Sequence, residues 1–229
     1  FGPRSRDLLK TLSEDNFEND QFRFGFAKFI SIEGVKIWAQ RLSYVGELGF
    51  ELYVDVKDAK KIYELLIEKG KDFNLSNCGM HAMDIMRMES GFLHWGHDIS
   101  PEENQYQAGL SFTISSKKEY EFIGKKALEK IKKKKIKSRF VMFTLKDSKP
   151  GEPLLLHDEP IYLENKIIGR STSGNYSFNF KKNLTFGYIN NDISNDELHK
   201  KDLFIEIEKK KYPIELINKP LKQTNFKNN

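Results

Sequence analysis

The sequence predicts an α+β chain in which an α/β portion precedes a small all-β domain. Residues 57–70 place apolar side chains on one helical face and end at a glycine, and residues 79–90 carry a methionine-rich helical pattern that also closes at a glycine. After residue 137 the sequence pattern changes to short β-like runs separated by Gly, Asn, Asp and Pro. Short strands at this spacing are typical of a small barrel or a sandwich.

The remaining elements follow in chain order. A helical pattern begins near residues 8–12, phenylalanines suggest extended structure over residues 21–30, and residues 35–42 alternate as a half-buried strand does. Residues 50–54 are the next predicted strand, and residues 124–132 are a further helix. The β-like runs of the second half cover residues 140–145, 159–163, 166–169, 183–189, 203–208 and 212–216.

A lysine-rich run at residues 130–139 separates the two parts, and we place the boundary there, with domains at 1–137 and 138–229. The net charge of +5 and the pI near 9.0 invite a nucleic-acid partner. The run lies where a solvated connector belongs, however, and no base-stacking aromatic pattern accompanies it. We therefore expect no nucleic-acid partner, while an anionic, polyglutamylated small molecule would also favour a basic surface.

Several other classes are excluded by composition. An apolar content of 38% is that of a folded chain rather than a disordered one. No stretch approaches the roughly 20 apolar residues that cross a bilayer, and no leader opens the sequence, so we expect a cytoplasmic protein without a membrane partner. The single cysteine, Cys78, forms no internal disulfide and is expected to be a buried packing residue.

The segment RLSYVGELGFE, residues 41–51, predicts a hairpin around two glycines. The hairpin could bring the Tyr44 phenol and the Glu51 carboxylate to one end of the sheet. A carboxylate there suits a ligand with adjacent N–H donors, such as an amino-pyrimidinone edge, because its two oxygens accept two parallel hydrogen bonds. The alternative is an exposed hairpin with a solvated glutamate.

Residues 80–103 are rich in histidine, aspartate and methionine. His81, His94 and His97 with Asp84 and Asp98 suggest a metal, but no pair has the spacing of a helical metal motif, so we predict no metal site. The methionines are interpreted as core, and Asp84 and Arg87, three residues apart, as a structural ion pair on the helix.

Six segments together resemble one family. They are FGPRSRDLL, YVGELGFELY, AMDIMRMESGFLHWGHDISPEENQYQAGL, EFIGKKAL, DEPIYLENKIIGRSTSGNYSFNFKKNLTFGYI and the closing Pro-Leu at residues 220–221. The same series occurs in glycine-cleavage T-proteins and in the C-terminal portions of dimethylglycine and sarcosine dehydrogenases. The chain resembles this family over nearly its whole length. The fold implied is an incomplete T-protein-like folate-binding α/β domain followed by a small C-terminal β-barrel.

The resemblance implies a folate site but no catalytic residue within this chain. In the family a hairpin glutamate preceded by a tyrosine holds the pterin edge, and these match Glu51 and Tyr44. Met83 stands where the T-protein carries an arginine, so the arginine contact is not carried over, and the apolar residue resembles the dehydrogenase-fused branch. Phe92 and Trp95 are candidate aromatic surfaces of the folate channel. The family's catalytic aspartate precedes GPRSRDLL, so we expect Phe1 to be an interior residue of a longer or split protein.

The function implied is transfer of a one-carbon unit to tetrahydrofolate within a dimethylglycine or sarcosine dehydrogenase-like demethylating enzyme. The implied partners are folate, a methylated amine of the kind derived from glycine betaine, and a flavin oxidoreductase domain or subunit. FAD would bind in that preceding domain, which is absent from this chain, and the fragment alone is expected to be inactive. The alternatives are a free T-protein (aminomethyltransferase) and a non-catalytic folate-binding or assembly module.

Overall fold

The computed structural model describes residues 1–115 and 121–223, and contacts among them divide the chain into two compact units. One unit contains Phe1–Phe92 with Lys222 and Gln223, and the other contains Leu93–Leu221. Each combines helices with an antiparallel sheet, which confirms the α+β class. The two units are defined by contacts within the chain, which do not test where a domain begins. The domain boundary predicted near residue 137 therefore stays a prediction.

The first unit is a three-stranded sheet with three helices. Its elements in chain order are α1 (Ser5–Lys10), β1 (Ala27–Ile32), β2 (Val35–Gln40), β3 (Glu51–Tyr53), α2 (Val56–Gly70) and α3 (Met80–Glu89). The strands are antiparallel in the order β1-β2-β3. Glu33 and Gly34 join the first two strands, and both have positive φ, as the tightest hairpin turns require.

Burial explains how this sheet is oriented. On β1 and β2, Ile30 and Ile37 are almost inaccessible to solvent, whereas their neighbours Phe29 and Lys36 are exposed. Alternation of this kind puts one face of the sheet on the core and the other in water. The core of this unit is formed by Leu8, Leu9, Leu12, Phe17, Phe22, Ile30, Ile32, Ile37, Ala39, Leu48, Phe50 and Ile62.

Helix α2 shows how local sequence sets an element's ends. The Asp55 side chain accepts a hydrogen bond from the Lys57 N–H and so satisfies one of the free donors at the helix start. Ile62 is buried on the inner face. At the last residue, Gly70, an added Cβ would lie 2.4 Å from Leu75, so only glycine allows the chain to turn back this closely. The helix predicted over residues 57–70 is confirmed.

The second unit is built around a closed six-stranded barrel. Its elements are α4 (Lys125–Lys132), β4 (Ser138–Leu145), β5 (Pro160–Leu163), β6 (Lys166–Ser177), β7 (Lys182–Asn190), α5 (Asn195–Lys200), β8 (Leu203–Ile207) and β9 (Lys210–Ile217). The strands follow the order β4-β7-β6-β5-β8-β9, and β9 pairs with β4 to close the barrel. The barrel is confirmed and the sandwich is excluded.

Alternating side chains fill the barrel. On β8, Leu203, Ile205 and Ile207 are buried, while the residues between them are half-buried. The barrel core consists of Val141, Phe143, Leu145, Leu155, Ile161, Leu163, Ile168, Ile189, Leu198, Leu203, Ile205, Ile207, Ile214 and Leu216.

Several details differ from the sequence-based expectations. The extended structure expected over residues 21–30 begins only at Ala27, and Met80, one of the methionines interpreted as core, is 65% exposed at the first turn of α3. Strand β6 runs eight residues beyond the predicted end at 169, since it continues to Ser177. Helix α5 was not predicted. Cys78 is exposed rather than buried, because it lies in the irregular segment before α3 and not on an apolar face.

None of the helices within residues 1–115 and 121–223 is both long enough and apolar enough to span a membrane.

Candidate functional site

The turn between β2 and β3 carries the first predicted site residues. Gly46 has a φ of 69°, a backbone conformation that glycine adopts without strain. The Glu47 N–H donates to the Ser43 hydroxyl at 3.1 Å, which ties the two sides of the turn together. At Val45 the carbonyl accepts from the Ser90 hydroxyl at 3.4 Å, so the turn lies against the C-terminal end of α3. The turn is therefore held by hydrogen bonds and is not a free loop.

Tyr44 and Phe92 meet at this turn. Their rings are stacked, with centroids 6.4 Å apart and an interplanar angle of 13°. Both side chains are half-buried. Stacked, half-buried aromatic rings are apolar groups of the kind that aromatic ligands contact.

Glu51 is half-buried at the start of β3 and accepts a hydrogen bond from the Tyr53 hydroxyl at 2.8 Å. Leu52 packs against the core, so strand alternation puts Glu51 and Tyr53 on the opposite face. This hydrogen bond, and then the charge of Glu51, raise the pKa of Tyr53 above its ordinary value. In the structure Tyr44 thus stacks on Phe92, and Glu51 is hydrogen-bonded to Tyr53.

A second carboxylate, which the sequence-based analysis did not single out, lies within the turn itself. Glu47 is half-buried and forms an ion pair with Lys222. The Lys222 ammonium group also donates to the carbonyl of Val45 at 3.4 Å, and its backbone N–H donates to the carbonyl of Glu89 at 2.8 Å. Glu47 belongs to the same motif as Tyr44. Strand periodicity indicates Glu51 but not Glu47, because a residue inside a turn is not part of a periodic pattern.

Helix α3 carries Met83 and the structural ion pair. Met83 is half-buried. Arg87, only 1% exposed, donates from Nε to Asp84 at 2.9 Å and from a terminal nitrogen to the carbonyl of Phe92 at 3.0 Å. The predicted ion pair of Asp84 and Arg87 is confirmed. The Arg87 side chain is buried, whereas Asp84 is partly exposed. Through this pair the helix end fixes the backbone beside Phe92.

Trp95 belongs to the second unit, and its indole is 65% exposed. It lies in a tight loop in which the Asp98 N–H donates to the carbonyl of His94 at 2.8 Å and the Gly96 N–H donates to the carbonyl of Ile99 at 2.8 Å. The rings of His94 and His97 lie 4.5 Å apart. Within the described part of the chain, no group of three or more His, Cys, Asp or Glu side chains is placed to hold a metal ion.

An apolar cavity lies elsewhere in the first unit. Its volume is about 480 Å³, and Leu8, Leu9, Phe50, Leu66 and Phe73 contribute to its lining. Neither the predicted folate contacts of the first unit nor Glu47 lines it. Size alone therefore does not select this cavity as the functional site.

Comparison with known proteins agrees with the fold. The GCVT N-terminal domain family matches residues 1–118, and the glycine cleavage T-protein C-terminal barrel domain family matches residues 139–222. The barrel match coincides with the closed sheet described above.

Individual relatives cover most of this chain. It is 34% identical to the mitochondrial dimethylglycine dehydrogenase of Homo sapiens over 96% of its own length and 25% of that protein. It is 34% identical to the aminomethyltransferase of Alkaliphilus metalliredigens over 99% of its own length and 59% of that protein. The chain thus spans about a quarter of the dehydrogenase and somewhat over half of the aminomethyltransferase.

The solved structure of the glycine cleavage system aminomethyltransferase T from Bartonella henselae has the same fold. It superposes with a TM-score of 0.80 at 21% identity, over 96% of this chain and 58% of that one. Two family matches in chain order, relatives across nearly the full length and a common fold lead to one conclusion. This chain belongs to the glycine cleavage T-protein family.

Proposed function

We propose that this chain takes part in transfer of a one-carbon unit to tetrahydrofolate, as the C-terminal part of a demethylating enzyme that resembles the dimethylglycine and sarcosine dehydrogenases. The chain is 34% identical both to dimethylglycine dehydrogenase and to an aminomethyltransferase, so the observation that carries the dehydrogenase-like assignment is Met83, which stands where T-proteins carry an arginine. Family membership supports folate-dependent one-carbon chemistry in general. The methylated amine and the flavin partner are finer parts of the proposal.

The side chains of the first unit fit a folate. A pterin is a flat ring with adjacent N–H donors, and the half-buried pair of Tyr44 and Phe92 offers aromatic side chains that such a ring can contact. The carboxylate of Glu51 would accept two N–H bonds of such an edge once the Tyr53 hydroxyl is displaced or shared. Met83 adds an adaptable apolar contact in place of the arginine of T-proteins. Trp95 presents a further aromatic surface in the second unit.

The chemistry that the folate supplies is acceptance of the one-carbon unit at its nitrogens. The protein's share is to bind and orient the pterin and to exclude water, because an iminium released into water hydrolyses to formaldehyde. No residue of this chain matches the family's catalytic aspartate, which we place in the polypeptide that precedes it. FAD belongs to an oxidoreductase domain or subunit outside this chain. We further propose a cytoplasmic protein that needs neither nucleic acid nor a membrane.

Product analysis tests this function in the complete natural polypeptide, with its flavin partner present. With dimethylglycine or sarcosine as donor, tetrahydrofolate should lower free formaldehyde and give methylenetetrahydrofolate faster than free formaldehyde condenses with tetrahydrofolate in solution, while the rate of amine oxidation stays constant. A free T-protein would show no amine oxidation and would act only on an aminomethyl donor. A non-catalytic module would bind folate and give methylenetetrahydrofolate only at the uncatalysed rate, which would contradict the proposal.

A further inference from the structure

The carboxylate of Asp98 is almost fully buried, at 1% exposure, inside the second unit. Its Oδ1 accepts from the Thr172 hydroxyl at 2.5 Å and from the Ser173 hydroxyl at 2.8 Å. Its Oδ2 accepts from the His94 N–H at 2.9 Å. Three donors converge on this one carboxylate, and we call Asp98, Thr172 and Ser173 the Asp98 clamp.

The two hydroxyls belong to consecutive residues, and consecutive side chains of a regular strand cannot contact the same carboxylate. Successive side chains of a strand point to opposite faces of the sheet. Between β6 and β7, however, the register shifts: Ser171 pairs with Gly187 and Ser173 pairs with Phe186. Thr172 is the extra residue of this β-bulge, and a bulge re-aims side chains. The irregularity in β6 is therefore what brings both hydroxyls to Asp98.

The carboxylate also closes the loop that carries Trp95. The bond from the His94 N–H to Asp98 joins the two sides of the loop, beside backbone bonds from Asp98 to His94 and from Gly96 to Ile99. Gly96, with a φ of 92°, permits the tight backbone between them. Buried at its base and hydrogen-bonded along its backbone, the loop presents the Trp95 indole to solvent. An exposed loop is usually mobile, whereas this one is anchored to the barrel.

We propose that the Asp98 clamp is a positioning device that holds the loop of Trp95 ready to offer its indole as an aromatic contact for a flat ligand, and that Asp98 and Thr172 are positioning residues of this loop. The ligand part rests on the proposed function; the positioning part does not. A loop whose backbone is ordered before binding loses less conformational entropy when the ligand arrives. Without the clamp, the loop that carries Trp95 would have to be ordered at the expense of folate affinity.

The chain is well suited to a spectroscopic test, because it contains two tryptophans, Trp38 and Trp95. Trp38→Phe leaves Trp95 as the sole indole reporter. In that background Thr172→Val removes the hydroxyl at nearly constant shape, and Thr172→Ser keeps it. Thr144→Val is the matched control, since Thr144 is a buried barrel threonine whose hydroxyl has no hydrogen-bond partner among the described residues.

Fluorescence anisotropy decay and acrylamide quenching of Trp95 give the decisive reading. We expect Thr172→Val to add a fast local motion and raise the quenching constant, with Thr172→Ser and Thr144→Val close to the parent. Asp98→Asn should act in the same direction, and circular dichroism confirms that each variant is folded. An immobile Trp95 in folded Thr172→Val would overturn the clamp.

Titration with tetrahydrofolate tests the ligand part in the complete polypeptide. Loss of the ordered indole should weaken binding by roughly two- to tenfold in Thr172→Val, and Thr172→Ser should restore it. A mobile Trp95 with unchanged folate affinity would overturn its role as a folate contact. If the parent protein itself binds no folate, the proposed function fails, and the fluorescence result still decides whether the clamp positions Trp95.

Discussion

The ring of Tyr44 stacks on the ring of Phe92 at 6.4 Å and 13°, and this contact joins the glycine turn to the end of α3. Tyr44→Ala should lower the free energy of unfolding by about 1–2 kcal/mol, because a half-buried aromatic pair and its apolar area are lost. Tyr44→Phe keeps the ring and should remain within about 0.5 kcal/mol of the parent. Urea unfolding measures both, and equal stability of the two variants would show that the stack is incidental.

The buried side of the Asp84–Arg87 pair leads to a second prediction. Arg87 is 1% exposed, so Asp84→Ala leaves a buried guanidinium with less compensation and should cost about 2–4 kcal/mol. The control is Glu64→Ala, which breaks the exposed pair of Lys60 and Glu64 at 3.8 Å and should change stability by less than about 0.5 kcal/mol. Thermal unfolding of both variants checks the contrast. Similar small effects would contradict the structural role of the pair.

At Tyr188 we expect a substitution that does not lower the free energy of unfolding. Its hydroxyl oxygen is buried without a hydrogen-bond partner among the described residues, and burial, followed by the charges of Glu103 and Asp98, raises its pKa. Tyr188→Phe should therefore leave the barrel equally stable or stabilise it by about 1 kcal/mol, since an unpaired polar group is removed.

The same residue makes stability depend on alkaline pH. Burial raises the pKa of Tyr188 in the folded state above the ordinary tyrosine value of about 10. Above that pH the unfolded state loses the proton more readily than the folded state, so the free energy of unfolding falls as the pH rises. Tyr188→Phe should flatten this part of the pH–stability curve above about pH 10. A variant that loses stability at neutral pH would indicate that the hydroxyl has a partner after all.

Several features of the fold were predictable because they depend on local pattern. Helix α2 has periodic apolar residues and a terminal glycine, and the barrel strands have turn residues between them. Helix α5 also had a signal that was overlooked: Ser194 accepts a hydrogen bond from the Glu197 N–H, and a serine followed three residues later by glutamate is a typical helix start.

The Asp98 clamp was not predictable from periodicity. A bulge depends on how two strands are paired, and nothing in the local sequence of β6 marks Thr172 as the extra residue. The same limit applies to Glu47, whose pairing with Lys222 joins positions 175 residues apart. The resemblance to the family already matched Glu51 to the hairpin glutamate, and the structure adds that Glu47, in the turn, is paired with Lys222.

The connector between α4 and the barrel offers a test of the proposed domain boundary. Lys133, Lys134, Lys135 and Lys137 are exposed and lie outside any helix or strand. Limited trypsin digestion should cut here first, since exposed irregular backbone fits a protease. The comparison site is the lysine-rich hairpin at Lys210 and Lys211, which is held in the ladder between β8 and β9. First cleavage at that hairpin, established by mass spectrometry, would count against the boundary.

We propose that the β2–β3 hairpin holds the pterin edge of tetrahydrofolate through Glu51. Glu51→Gln keeps the size of the side chain but removes its charge and turns one acceptor into a donor. A lost charge-assisted hydrogen bond costs on the order of 1.5–3 kcal/mol, so folate affinity should fall roughly ten- to hundredfold. Glu47→Gln is the comparison, because Glu47 is already paired with Lys222 and should change affinity less.

Titration calorimetry of the complete polypeptide with tetrahydrofolate is the most direct measurement. We expect clear binding by the parent, roughly ten- to hundredfold weaker affinity in Glu51→Gln, and amine oxidation that continues with more free formaldehyde. Unchanged affinity in Glu51→Gln together with a large loss in Glu47→Gln would contradict the assignment of Glu51, and the absence of binding by the parent would contradict the folate function itself.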